Sequence, residues 1–304
     1  MSKATNTVMG GDPFCDIFRG TYDLHQYWNL TDPDYCTSVM KSAYDGGCRS
    51  YELSFPAVVE MFLKLETQVG ESLTGYANPT YIQGIELDGR PLQFCRSRIL
   101  KTFAERDGFF TEEHRELLKN KWREDTCMVF GHDPNAVPLS DKEIGSIRLN
   151  EDAYLKRLNG LGACSRVLVG GTDADWLFTL GRADIIEQMC AIVRSLGKAP
   201  YLLTHYTSTV LPEADAAALP VDGYFAVLNK AWAWLDHEEA VAAVKNAKKP
   251  VTAFMAFACG GLTGGMQEAA EWLKTDCGVS GIMFGTTKRA NALKTATMLT
   301  GMFD

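Results

Sequence analysis

The C-terminal stretch 250–304 constrains the fold more than any other part of the chain. It reads as two buried strands, each ending in a loop that leads into a helix. The first strand runs from Pro250 to Ala258, followed by Cys259-Gly-Gly-Leu-Thr-Gly-Gly265 and a helix from Met266 to about Lys274. The second runs from Gly281 to Gly285, followed by Thr286-Thr-Lys-Arg-Ala290 and a helix to about Leu299. Apolar runs that alternate with helices imply parallel strands covered on both faces. Glycine where strand becomes helix lets backbone N–H groups approach an anion at the helix N-terminus. In a (β/α)8 barrel the loops after the last two strands form the usual phosphate site.

The rest of the chain extends the pattern. Strand one is expected at Asn6–Met9 and strand two at Arg49–Ser54, with a helix between them from Asp32 to Tyr44 capped by Thr31. Pro56 opens the helix after strand two, and Leu73–Asn78 is the third strand candidate. Asp88-Gly89 marks a hairpin within Ile82–Phe94. Helical residues follow from Arg96 to about Arg123, then a strand candidate at Thr126–Phe130 and a helix from Glu151 to Leu161. Regularity returns with strand four at Arg166–Val169, a helix from Ala183 to Leu196, strand five at Pro200–His205, strand six at Gly223–Lys230 and a helix from His237 to Ala247. One strand more than eightfold closure is available. The expectation is a single (β/α)8 TIM barrel over residues 1–304, with 79–150 as an insertion in its third βα unit.

Composition narrows the class. The 304 residues are 46% hydrophobic, enough for a large core, and carry a net charge of −8 with no basic run longer than Lys248-Lys249. That argues against a nucleic-acid surface. The nine cysteines form no CxxC pair and several sit in apolar stretches, which reads as reduced, buried thiols of a cytoplasmic protein. No apolar run reaches the ~20 residues of a membrane span. No HxH, HExxH or cysteine cluster supports zinc.

Candidate chemistry lies at strand ends. Glu52 stands on strand two, where an inward carboxylate needs a partner or a raised pKa. His205 ends strand five, as a general base or a metal ligand, or as a hydrogen-bonded histidine at the barrel rim. Asp173 and Asp175 follow strand four, as ligand contacts or as helix caps. Lys230 ends strand six, either as a buried nucleophile or as a lysine turned to solvent, the commoner case. Asn229 before it is an inward-facing alternative. Asp12, Asp16, Tyr22, His25 and Trp28 follow strand one, and Trp232 and Trp234 follow strand six. His132-Asp133 are adjacent and would point opposite ways on a strand. For an anionic ligand the candidates are Gly260, Gly261, Gly264, Gly265, Gly285, Thr286 and Thr287, with Lys288 or Arg289 adding charge.

Four short stretches resemble the aldo-keto reductase superfamily: Leu155–Gly162 before strand four, Val221–Asn229 on strand six, Ala258–Gly264 after strand seven, and Phe284–Asn291 after strand eight. Asp34–Tyr51 fits more loosely. The resemblance implies a (β/α)8 barrel that binds NADP(H), with Lys288, Arg289 and Asn291 at cofactor positions. It also implies an Asp, Tyr, Lys and His set near the nicotinamide. That set is missing here: Glu52 replaces the Asp, no Tyr follows at the usual spacing, strand three has no Lys, and strand four ends in Gly170-Gly-Thr-Asp173.

The leading expectation is therefore an enzyme using acid–base chemistry of lyase or isomerase type on a small phosphorylated or nucleotide-bearing ligand, through Glu52, Asp173 and His205. An NADP(H)-dependent reductase with a rearranged acid is the first alternative, and a non-catalytic ligand- or partner-binding barrel the second. The expected partner is a small molecule bearing phosphate, with no nucleic acid and no membrane. A homo-oligomer is left open.

Overall fold

The computed structural model describes residues 5–14, 24–79, 83–113, 133, 135–233 and 235–304, with the side chains of 24 and 25 excepted. Asp16, Tyr22, His132, Trp234, the side chain of His25 and the strand candidate at 126–130 lie outside the described residues. Eight parallel strands close into a barrel: β1 (Thr7–Met9), β2 (Ser50–Leu53), β3 (Thr74–Ala77), β7 (Arg166–Gly170), β8 (Ala199–Thr204), β9 (Tyr224–Val227), β10 (Val251–Phe254) and β11 (Gly281–Phe284). Parallel pairing of β1 with β11, Val8 opposite Met283, completes the circle. Between β3 and β7, short strands β4 (Ile85–Leu87), β5 (Arg90–Pro91) and β6 (Arg148–Leu149) form a separate antiparallel sheet. The β4–β5 turn is Asp88-Gly89, both at positive φ, as a two-residue hairpin turn requires.

Strand alternation sorts the side chains. Val8, Tyr76, Leu168, Leu203, Phe225 and Met283 pack together inside the barrel. Their chain neighbours Met9, Ala77, Val167, Leu202, Ala226 and Ile282 join the larger core under the helices. The same parity sends Glu52, Asn78, His205, Asn229 and Gly285 inward at the C-terminal ends of the strands. Below them the interior is filled by edge-to-face rings, Tyr76 against Tyr201 at 5.4 Å and against Phe225 at 5.1 Å. The Arg166 guanidinium lies 5.0 Å from the Tyr76 ring. The barrel is a packed core with chemistry only at its mouth.

The helix expected from Arg96 to about Arg123 ends at Glu105, where Arg106 turns to extended backbone. The helices around the barrel match the expected periodicity with three differences. Asp32, not Thr31, caps the helix Pro33–Asp45, accepting from the Asp34 N–H at 2.9 Å with Pro33 at the first helical position. A helix at Thr172–Thr179 follows β7 directly; six of its eight residues are buried, so it shows no amphipathic period. A second at Thr207–Ala216 follows β8 and contains Pro212 near its middle, which hid it from pattern reading. Strand β10 is shorter than expected because Met255, at φ +51, ends it. No helix of the described residues is long and apolar enough to cross a membrane.

Candidate active site

The mouth is organised around Glu52. It is fully buried on β2, and its Oε2 accepts the Gly11 N–H at 2.7 Å. That approach needs a glycine: a Cβ on Gly11 would lie 2.5 Å from the Glu52 carbonyl oxygen and 2.9 Å from Val58 Cγ1. Asn78, at the end of β3, adds a side-chain hydrogen bond to the Glu52 carboxyl. Burial first, and the charge of Asp12 second, push the Glu52 carboxyl up to about 8.

Ser54 ties Glu52 to Asp12. Its hydroxyl oxygen is 2.7 Å from Asp12 Oδ1 and also in hydrogen-bond contact with Glu52 Oε1. A hydroxyl has one proton to donate, so two carboxylates cannot both be accepted partners. One carboxyl must be protonated. Burial raises Asp12 as well, while the Ser54 bond and the field of His205 pull it down. Glu52, more deeply enclosed, holds the proton and donates to Ser54, and Ser54 donates to an ionised Asp12.

His205 faces the same mouth from β8, three strands from β2 one way around the barrel and five the other. Asp175 fixes it. Asp175 Oδ2 is 2.8 Å from His205 Nδ1, and its Oδ1 accepts from Thr204 Oγ1 at 2.5 Å, from His205 N at 2.9 Å and from Tyr206 N at 3.1 Å. An ionised carboxylate only accepts, so the His205 ring carries its proton on Nδ1. Phe254 packs edge-on to the imidazole at 5.7 Å.

The other strand-end candidates separate from this group. Asp173 is enclosed between the amides of Gln83 and Gln93, each 3.2 Å from its Oδ2. Lys230 is turned outward, 40% exposed and paired with Glu268. It is not the buried amine that a Schiff-base role requires, and the expectation of a catalytic lysine gives way to an ordinary surface ion pair. Asn229 is fully buried, and its Oδ1 accepts from the N–H groups of Ala231 and Trp232, shaping the loop after β9. Trp28 is 62% exposed, on the outer surface. Asp133 accepts its own loop's Asn135 N–H. Among the described residues no group of three His, Cys, Asp or Glu side chains could hold a metal.

The loops after β10 and β11 border a cleft of about 760 Å³ between the helices Met266–Thr275 and Arg289–Phe303. Gly260, Gly264, Gly265, Gly285, Thr286 and Asn291 line it, together with Lys294, which sequence reading passed over. Glu268 and Glu271 line it too; the first is engaged by Lys230 and the second by the Gln267 amide. Gly261, Thr287, Lys288 and Arg289 are outside its lining. Thr287 is buried, with its carbonyl accepting from Tyr35 Oη at 3.0 Å, Lys288 is exposed, and the Arg289 guanidinium lies over the Tyr35 ring at 4.9 Å. Cleft and mouth are neighbours: Pro13, next to Asp12, packs so closely on Gly285 that a Cβ there would meet its Cγ at 2.9 Å.

Two solved structures share this architecture. Both are provisionally assigned aldo-keto reductases from Pseudomonas aeruginosa, each matching with a TM-score of 0.55 over 98% of this chain and 90% of the other. Sequence identity is 12% and 14%, so the likeness is one of fold. No protein-family model matches the chain, and no curated protein does.

Ser54, Asn78 and Asp12 were the site residues that sequence reading undervalued. Ser54 and Asn78 share inward parity with Glu52 and Tyr76, a signal present in the strand alternation. Asp12 had only its place after strand one.

Proposed function

We propose that this chain is an oxidoreductase of the aldo-keto-reductase type that uses NADP(H) on a small carbonyl compound, with the Glu52 carboxyl as proton donor. The observation that carries the reading is the hydrogen-bonded Glu52–Ser54–Asp12 chain at a barrel mouth that adjoins the cleft after β10 and β11. The shared fold with aldo-keto reductases supports it.

When bound, the nicotinamide cofactor supplies the hydride that reduces a carbonyl carbon. The cleft residues fit the phosphate-bearing part of such a cofactor. Gly260, Gly264 and Gly265 have no atom within 4 Å of where a Cβ would sit, so their backbone is open to a ligand. Thr286, Asn291 and Lys294 add a hydroxyl, an amide and an ammonium group.

The chain's own residues handle the proton. Reduction leaves negative charge on the substrate oxygen, and a neutral carboxylic acid in a dry site is suited to neutralise it. Glu52 gives up its proton, and the half-buried Asp12 takes one up from water and donates it to Ser54 as Ser54 donates its own to Glu52, which restores the acid. His205, steadied through Nδ1 by Asp175, faces the same mouth and can orient a substrate hydroxyl. Without the Tyr, Lys and His of the reductase pattern, ordinary aldehydes are expected to be poor substrates.

The test is an NADPH fluorescence titration of the purified chain followed by turnover with a panel of carbonyl compounds. Saturable binding with slow oxidation, fastest below pH 8, is the expected result. A second reading, lyase or isomerase chemistry on a small phosphorylated ligand, is favoured by the His205–Asp175 pair. It takes over if NADPH neither binds nor is oxidised.

A further inference from the structure

We infer that the chain holds a monovalent cation in a site built from the side-chain oxygens of Gln83, Gln93 and Asp173. All three residues are at least 96% buried, with exposures of 3%, 4% and 1%. They form one cluster, because both amide nitrogens contact the same atom, Asp173 Oδ2, at 3.2 Å. Gln83 Nε2 also donates to the Gly170 carbonyl at 2.6 Å.

Those contacts fix the amide orientations. An amide nitrogen only donates, so each must face the carboxylate oxygen, and in Gln83 the Gly170 carbonyl as well. The amide oxygens are thereby turned away from Asp173 Oδ2. Gln83 Oε1, Gln93 Oε1 and Asp173 Oδ1 are all buried, and among the described residues none accepts a hydrogen bond. Three enclosed acceptors in one cluster are far outside the usual rarity of unmet polar atoms.

The chemistry selects the guest. A water has two protons and would leave one acceptor unmet, whereas a cation can serve all three. Oxygen donors exclude soft metals. One carboxylate and two neutral amides carry a single negative charge, which a monovalent ion neutralises. Calcium and magnesium sites usually bring more carboxylates or several retained waters. Neighbouring Asp175 does not alter the count much, since Thr204, His205 and Tyr206 already donate to it. Burial, with the charge of Asp175 adding to it, pushes the Asp173 carboxyl up to about 7, so an ionised Asp173 lacks compensation that a cation supplies.

The placement gives the ion a purpose. Gln83 precedes β4, Gln93 follows β5, and Asp173 lies in the first turn of the helix that carries Asp175. A cation here clamps the small sheet to the barrel and steadies the residue that aims His205. The inference does not depend on which reaction the mouth performs.

Thermal unfolding of the full chain, dialysed into a tetramethylammonium buffer, tests it. Potassium, sodium or ammonium chloride should raise the melting temperature saturably by about 2–4 °C over tetramethylammonium chloride of equal ionic strength. Asp173→Asn and Gln93→Leu should each remove that response, and circular dichroism checks that each variant folds. Crystals soaked in thallium(I) or rubidium salts should show an anomalous peak bounded by the three oxygens. The inference is overturned by an equal response to tetramethylammonium, by a response to calcium or magnesium alone, by a response retained in Gln93→Leu, or by soaked crystals without the peak.

Discussion

Asp175 stands 2.8 Å from Nδ1 of His205, and the same carboxylate accepts the backbone N–H of His205 itself. The imidazole is therefore held at ring and backbone by a single residue from the preceding βα unit. The proton on Nδ1 follows from that contact.

Asp175→Asn should break this arrangement without emptying the space. An Asn can present its NH2 group to Nδ1, which favours the other tautomer and places a proton on Nε2. Turnover should fall about 100-fold, the usual scale for acid–base groups, while affinity for NADPH stays near wild type. Steady-state kinetics and cofactor titration on the same preparation separate the two effects. His205→Asn should cost about as much, and full activity in both variants would remove the histidine from the mechanism.

Glu52→Gln keeps volume and an acceptor for Gly11 N–H but removes the transferable proton. Turnover should drop at least ~100-fold. In the wild type, activity that needs the protonated carboxyl is present at neutral pH and lost as pH rises through about 8. A rate that stays flat from pH 6 to 10 would show that Glu52 is not the donor.

The same group sets a pH dependence of stability. Its folded pKa, about 8, is above its ordinary value of 4.5, so between those values the folded state binds more protons than the unfolded. Stability therefore declines as pH rises through that window, by an amount on the order of a few kcal/mol at most. Glu52→Gln should flatten the decline and be relatively more stable at pH 9 than at pH 5. Urea unfolding at both values measures it.

Binding in the cleft should respond to charge at positions that line it. Gly264→Asp has room for the new side chain, since no atom lies within 4 Å of its Cβ position, and puts a carboxylate into the ligand's path. Affinity for NADPH should fall at least ~10-fold, about 1.4 kcal/mol, and Lys294→Glu should act in the same direction. Gly261→Asp should have the smaller effect, because Gly261 does not line the cleft and a Cβ there meets the Ala258 carbonyl at 3.2 Å. Equal losses at 261 and 264 would mean that the loop, not the cleft wall, is being read.

Lys230→Met should leave turnover within about twofold, because its ammonium group is spent on an exposed pair with Glu268. A loss of two orders of magnitude would return Lys230 to the site.

The sequence by itself determined the barrel. Apolar runs such as Arg166–Val169 and Gly281–Phe284, spaced by helical segments, leave few alternatives to parallel strands covered by helices, and alternation on β2 already placed Glu52 on a face of its own. Local chemistry was legible where it acts locally, as in the Asp88-Gly89 turn and the glycine loops. Two helices were missed for the opposite reason: Thr172–Thr179 is buried nearly all round and Thr207–Ala216 carries an internal proline, so neither displays the period that marks a surface helix. The site was decided by tertiary structure. Asp12 and Ser54 are 42 positions apart, and Asp175 and His205 are 30. Closure of the barrel brings these pairs together, and only that proximity makes a shared proton or a fixed tautomer. Glu52 acquires its raised pKa in the same way, from burial and from a neighbouring carboxyl that the chain order does not reveal. Whether Asp173 meets substrate or two glutamines, and whether Lys230 faces inward or toward Glu268, depends on directions that strand ends leave free and packing selects.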